Sequence, residues 1–208
     1  MKRALYHRAR RKAIASASHP ANKGCGGIRM ILDLKRLPIL ETERLRLEPL
    51  TAADTAHLYP IMNDPEVMAY WDVPEVEDPD IVAGVIEGQV AAMAGARGIY
   101  WAMRTLADRA FVGSCELSEI DRAHRRAEVG FMVGRDAWNQ DYPLEAVRTV
   151  IAFAATGGLR KLTARTHLGN RRSEALLENL GFTEEGLLRG HILKDGERRD
   201  CRLFGLLL

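Results

Sequence analysis

From Leu45 the chain alternates apolar with charged positions, Leu45 and Leu47 lying between Arg44, Arg46 and Glu48. That period of two predicts a half-buried strand over 43–49. Thr51 precedes Asp54 at capping-box spacing, and Ala56, Leu58, Ile61 and Met62 supply an apolar helical face that ends near Asn63. The stretch that follows carries three prolines and reads as an irregular connection, a lid or wall with at most a helical turn over 66–69. Ile81, Val82, Val85, Ile86, Val90 and Met93 return to a helical period that stops at Gly95 and Gly98. Strand-like runs over 99–106, 110–120 and 126–134 are separated by polar turns and predict an antiparallel meander. Then come a helix over 143–156, a strand over 161–167, a helix over 170–180 and a closing hairpin. Asp195-Gly196 is a type I′ turn signal, and it sets the hairpin arms at 190–194 and 198–207.

Strand and helix alternate late in this order but not early, so an α/β (α+β) fold with a mixed, mostly antiparallel sheet fits better than a doubly wound one. At 208 residues and 47% hydrophobic content, the chain can bury one full core, placed at 39–208. Cys25, Cys115 and Cys201 are odd in number and widely spaced, which argues against a disulfide framework or a zinc site. With no apolar run of about 18 residues to span a bilayer, a cytoplasmic location is expected.

Charge separates the tail from the domain. Residues 1–29 hold eight Lys or Arg and no Asp or Glu; removing them from the totals of 30 and 28 leaves 22 basic against 28 acidic, a net charge of −6. A mildly acidic domain does not suit a nucleic-acid surface. The basic extension over 1–38 has three readings: a transit peptide, a nucleic-acid or membrane-surface arm, or a stretch ahead of a start at Met30.

The motifs that would mark common nucleotide sites and hydrolases are missing: GxGxxG after a strand, GxxxxGK[ST], GxSxG and HExxH. The six histidines offer no pair at ligand spacing, so no metal is expected. What remains is a strand, AEVGFMV, running through RDAWNQDYP into the helix LEAVRTVIAFA. A loop that opens a helix presents unspent N–H groups and a positive dipole end, a natural seat for phosphate. This unit, with ETERLRLEPLT, NDPEVM, N..S..LLENLGF, EEGLLR and RDCRLFGLLL in order over 39–208, resembles the RimJ/RimL branch of the GNAT N-acetyltransferases.

The resemblance implies a GNAT fold with helices on both faces of the sheet and acetyl-CoA as cosubstrate. The acceptor would be a primary amine, on a small molecule or a protein N-terminus, passing by 68–71 and the closing hairpin. A homodimer stays open. A splayed strand over 128–133 would hold the pantetheine arm, with main-chain N–H near Met132 or Val133 facing the acetyl oxygen. Asn139, Gln140, Tyr142 and Leu144 would cradle the pyrophosphate, and Asn170 would contact the cofactor; the plain reading makes Asn170 an N-cap and Ser173 a first-turn residue of the next helix. The family tyrosine that protonates the leaving thiolate falls on Leu177, which leaves that task to Ser173 or water.

Two loop positions depart from the family pattern. Asp141 stands where Gly is expected, and a carboxylate beside a diphosphate repels it; Pro143 has no N–H to give. The alternative reading makes Asp141 an N-cap whose side chain satisfies the first donors of the helix. A rival function follows, that of a GNAT-fold binding module that holds acetyl-CoA poorly. For proton removal from the amine, Glu128 is the first choice and His191 the second, with a solvated strand-end Glu as the plain alternative for Glu128.

Overall fold

The computed structural model describes residues 37–208. The basic extension and the readings attached to it lie outside these residues. Eight strands form one sheet: β1 (Leu40–Glu41), β2 (Leu45–Pro49), β3 (Ile99–Thr105), β4 (Phe111–Asp121), β5 (Arg126–Val133), β6 (Lys161–His167), β7 (Thr183–Lys194) and β8 (Glu197–Leu207). Their spatial order is β1-β2-β3-β4-β5-β6-β8-β7. Five helices accompany them: α1 (Thr55–Met62), α2 (Pro65–Met68), α3 (Pro79–Ala94), α4 (Tyr142–Thr156) and α5 (Arg171–Asn179). The expected mixed and mostly antiparallel sheet is present, with β5 and β6 as the parallel pair.

Alternation along the strands divides the core into two layers. Leu45, Leu47, Trp101, Leu117, Val129, Leu162 and Phe204 face α4 and α5, whose Val147, Val150 and Leu177 are wholly buried against them. Tyr100, Ala102 and Met132 point the other way and pack on α1, α2 and α3 through Leu58, Met68, Val82 and Ile86. Each helix therefore needs only one apolar stripe. Among the described residues no helix is long and apolar enough to cross a membrane.

Two boundaries differ from expectation. The first long strand begins at Leu45 rather than 43, because Thr42 folds back and its backbone N–H donates to the Leu45 carbonyl at 2.9 Å. The first hairpin arm begins at Thr183 rather than 190, and its pairing with β8 slips twice, at Glu184/Gly186 and Leu188/Ile192. Such slips break the period-two signal on which strand prediction depends.

The feature that organises the site lies between β5 and β6. They pair only over Arg126–Glu128 against Lys161–Thr163. β5 then keeps to β4 as far as Val133, and β6 keeps to β8 as far as His167. Beyond Glu128 and Thr163 the two strands part, opening a slot through the sheet.

Candidate active site

The slot exposes backbone that a closed sheet would consume. Gly134 N–H donates to Val112 O at 3.0 Å. An antiparallel ladder alternates, so Met132 also turns its N–H toward β4, while Phe131 and Val133 turn theirs into the slot. Of the two N–H groups implied by the resemblance, that of Val133 faces the slot and that of Met132 is spent in the ladder. Met132 instead contributes its buried side chain to the layer under α1 to α3.

Downstream of the slot, a 3₁₀ turn (Arg135–Ala137) leads through Trp138 to α4. Asn139 and Asp141 take left-handed backbone conformations, with φ of 61° and 57°. That region costs a residue with a Cβ about 1–2 kcal/mol, with Asn and Asp the least penalised after Gly. This explains how Asp141 can stand at a glycine position without altering the path of the loop. The capping role read for Asp141 is not observed: it occupies the N-cap position, but its side chain makes no cap hydrogen bond. Its carbonyl accepts from Glu145 N at 3.0 Å, and the carboxylate is exposed. The N–H groups of Tyr142 and Leu144 belong to the first turn, which has no intrahelical acceptors for them. Asn139 and Gln140 are exposed beside them, Gln140 Nε2 donating to Asp136 O at 2.7 Å.

Glu145 fastens this helix start to β1 and β2. It accepts from the Thr42 hydroxyl, from Arg44 N at 2.8 Å and from Arg44 Nε at 2.7 Å, while the Arg44 guanidinium lies 4.8 Å from the Tyr142 ring centre. Burial pushes the Glu145 pKa up, but the Thr42 and Arg44 donors outweigh it and the net shift is downward.

α5 begins on the other side of the slot. Asn170 Oδ1 accepts from Ser173 N at 3.3 Å, the cap expected from sequence, and Ser173 is half-buried in the first turn. The Arg172 guanidinium sits 4.3 Å from the Trp138 ring centre and joins the two helix starts. Glu174 is buried between Arg171, at 3.1 Å, and Arg202, at 3.3 Å. Leu177 is wholly buried.

The opposite face of the slot is polar. Glu128, half-buried, does not stand as a solvated strand end: both its oxygens accept from Arg165 Nε at 3.0 Å, and Arg165 Nη2 lies 2.9 Å from Oε1. Burial raises the Glu128 pKa, Glu119 and Glu116 add to the rise, and Arg165 opposes it. Arg165 Nη1 also lies 2.9 Å from His191 Nε2, and since a guanidinium only donates, that nitrogen accepts. Arg165 therefore engages both bases chosen from sequence. At the end of β6, buried His167 places Nε2 3.0 Å from Asp72 Oδ1. Nearby, buried Lys194 in the hairpin donates to the carbonyl of Met68 at 2.6 Å and fixes the irregular connection over the slot.

A parted strand pair leading into an open helix start is matched by similarity along the chain. The sequence profile of the acetyltransferase (GNAT) domain matches residues 44–183. The chain belongs to the GNAT acetyltransferase family. An uncharacterized N-acetyltransferase of Bacillus subtilis, YoaA, is 26% identical over 171 residues, which is 82% of this chain and 97% of that one. Among solved structures, RimL, a ribosomal L7/L12 alpha-N-protein acetyltransferase in complex with coenzyme A, superposes with a TM-score of 0.76 at 15% identity, covering 82% of this chain and 98% of its own. Spermidine N-acetyltransferase from Vibrio cholerae, with CoA and spermine, gives 0.69 at 22% identity over 78% and 95%.

This GNAT chain is thus an acyltransferase; Tyr142 and Leu144 lie in the first turn of α4, and Asn170 and Ser173 lie at the start of α5. His167 and Asp72 were missed. His167 shares a strand face with Thr163 and Arg165 by alternation, which the sequence could have shown. Asp72 lies in the proline-rich connection, where no periodicity assigns a direction.

Proposed function

We propose that this enzyme transfers the acetyl group of acetyl-CoA to a primary amine, and that a protein N-terminal amine is the acceptor. The observation that carries the reading is the slot beyond Glu128 and Thr163, continuous with a helix start whose Tyr142 and Leu144 N–H groups have no acceptor within the helix. Donors with no other employment at a positive dipole end suit a diphosphate. Acetyl-CoA supplies an activated acyl carbon. The chain's part is to bind it along β5 and to hold Val133 N–H where oxyanion charge develops. Asn170 closes the far wall, and the Ser173 hydroxyl returns a proton to the departing thiolate. Glu128, paired with Arg165, holds that guanidinium against the acceptor face. The RimL likeness supports the choice of a protein N-terminus.

A second reading, a binding module with little affinity for acetyl-CoA, draws on Asp141 and Pro143. Calorimetric titration of the full chain with acetyl-CoA separates the two. Micromolar binding is expected, tightening several-fold in Asp141→Gly as the carboxylate is removed. An absence of heat at millimolar ligand in the wild type, restored by Asp141→Gly, would establish the binding module instead.

A further inference from the structure

We infer that His167, held by Asp72, is the catalytic base that takes the proton from the acceptor amine. The inference rests on the N-acetyltransferase reading above and adds a residue pair to it.

Placement is the first argument. β5 and β6 run parallel, with Glu128 opposite Thr163. Counting forward on both strands brings Met132 level with His167 across the slot, beside the stretch where Phe131 and Val133 open their N–H groups. Alternation puts His167 on the face of Thr163 and Arg165, away from α4 and α5. His167 also lines, with Tyr70, Leu168, Arg198 and Asp200, a half-open pocket of about 370 Å³ between the irregular connection and the hairpin.

Protonation is the second argument. Asp72 is a carboxylate whose pKa is pushed up by partial burial but lowered more by the His167 bond and by the charges of Arg165, His167 and His191. At neutral pH it only accepts, so Nε2 of His167 carries the hydrogen and the lone pair resides on Nδ1. Among the described residues, Nδ1 has no hydrogen-bond partner. The other two bases lack this freedom, since Glu128 and His191 Nε2 both serve Arg165. The charged and titratable surroundings are Asp72 from the connection, Arg165 from β6, His191 and Lys194 from β7, and Arg198, Arg199, Asp200 and Cys201 from β8.

An acceptor ammonium gives one proton to Nδ1. The freed nitrogen pair attacks the thioester carbon, forming C–N, while the carbonyl pair moves to oxygen near Val133 N–H. As the carbonyl re-forms, C–S breaks, and the thiolate receives the second nitrogen proton through the Ser173 hydroxyl. The imidazolium releases its proton to water.

Nitrogen-15 NMR of the imidazoles in the full chain, assigned with His167→Gln, tests the geometry without any acceptor. Protonated Nε2 with bare Nδ1 is expected, and a hydrogen on Nδ1 would overturn the assignment. With acetyl-CoA and a peptide amine, His167→Gln should lower kcat about 100-fold or more while acetyl-CoA affinity stays unchanged. Asp72→Asn, a more exposed position that guards against misfolding, should lower kcat about tenfold and move the acid limb of the kcat/KM profile to lower pH, because the imidazolium loses its counter-charge. Unaltered pH profiles in both variants, with Glu128→Gln removing the limb, would transfer the role to Glu128. A wild type that binds no acetyl-CoA would refute the transferase reading, and the NMR result would still decide the tautomer.

Discussion

Glu145 reaches backward from α4 to Thr42 and Arg44, so the first turn of that helix is set by a chain segment about a hundred residues earlier. Its folded pKa is depressed, so its contribution is fully present above the ordinary glutamate value of about 4.3 and is lost as pH falls below it. Glu145→Gln should therefore cost roughly 1–2 kcal/mol near pH 7, discounted for the exposure of Arg44, and the gap to the wild type should close on acidification. Urea melts at pH 7 and pH 3 measure both. A gap of equal size at the two values would show that charge is not the agent. Legibility at this scale was uneven. Asn170 and Ser173 were readable because a cap is a local device. Asp141 looked like a cap as well, but a left-handed backbone at φ 57° is set by the path of the loop, which spacing does not reveal. The engagement of Glu128 was hidden because Arg165 lies 37 residues away along the chain.

Elements with a steady period were read almost to the residue. β6 matches 161–167, and α3 ends at Ala94, just before Gly95, where the helical period was expected to stop. β7 was read only in its last five residues, since its register slips and much of it is exposed, which leaves no clean alternation. The pairing of β4 with β5 was expected from the meander, but the tight approach at Gly113 was not legible. A Cβ added to Gly113 would lie 2.1 Å from the Met132 carbonyl oxygen, a backbone atom that cannot swing aside. Gly113→Ala should lower stability by about 1–3 kcal/mol and displace the Met132 and Val133 backbone. Thermal melts together with acetyl-CoA titration check it: a variant with both wild-type Tm and wild-type affinity would mean that the strands have room to yield.

For the molecule as a whole, the mixed sheet followed from the order of elements, while helices on both faces and a splayed β5 were implied only by the family resemblance. Parting of neighbouring strands depends on which pairs form and where they stop, and no single strand carries that information. The basis for placing a cofactor here was resemblance, to which the geometry adds unspent donors on one side and ionised groups on the other.

A passage open at both faces of a sheet also constrains the order of events. With acetyl-CoA entering from the side of α4 and α5, as the proposed function has it, and the acceptor from the side of Asp72 and the hairpin, neither would have to leave before the other enters. Direct transfer within a ternary complex is the expected course, and double-reciprocal rate plots at several fixed acceptor concentrations should intersect. Parallel lines would mean that an acetylated form of the protein stands between two separate half-reactions.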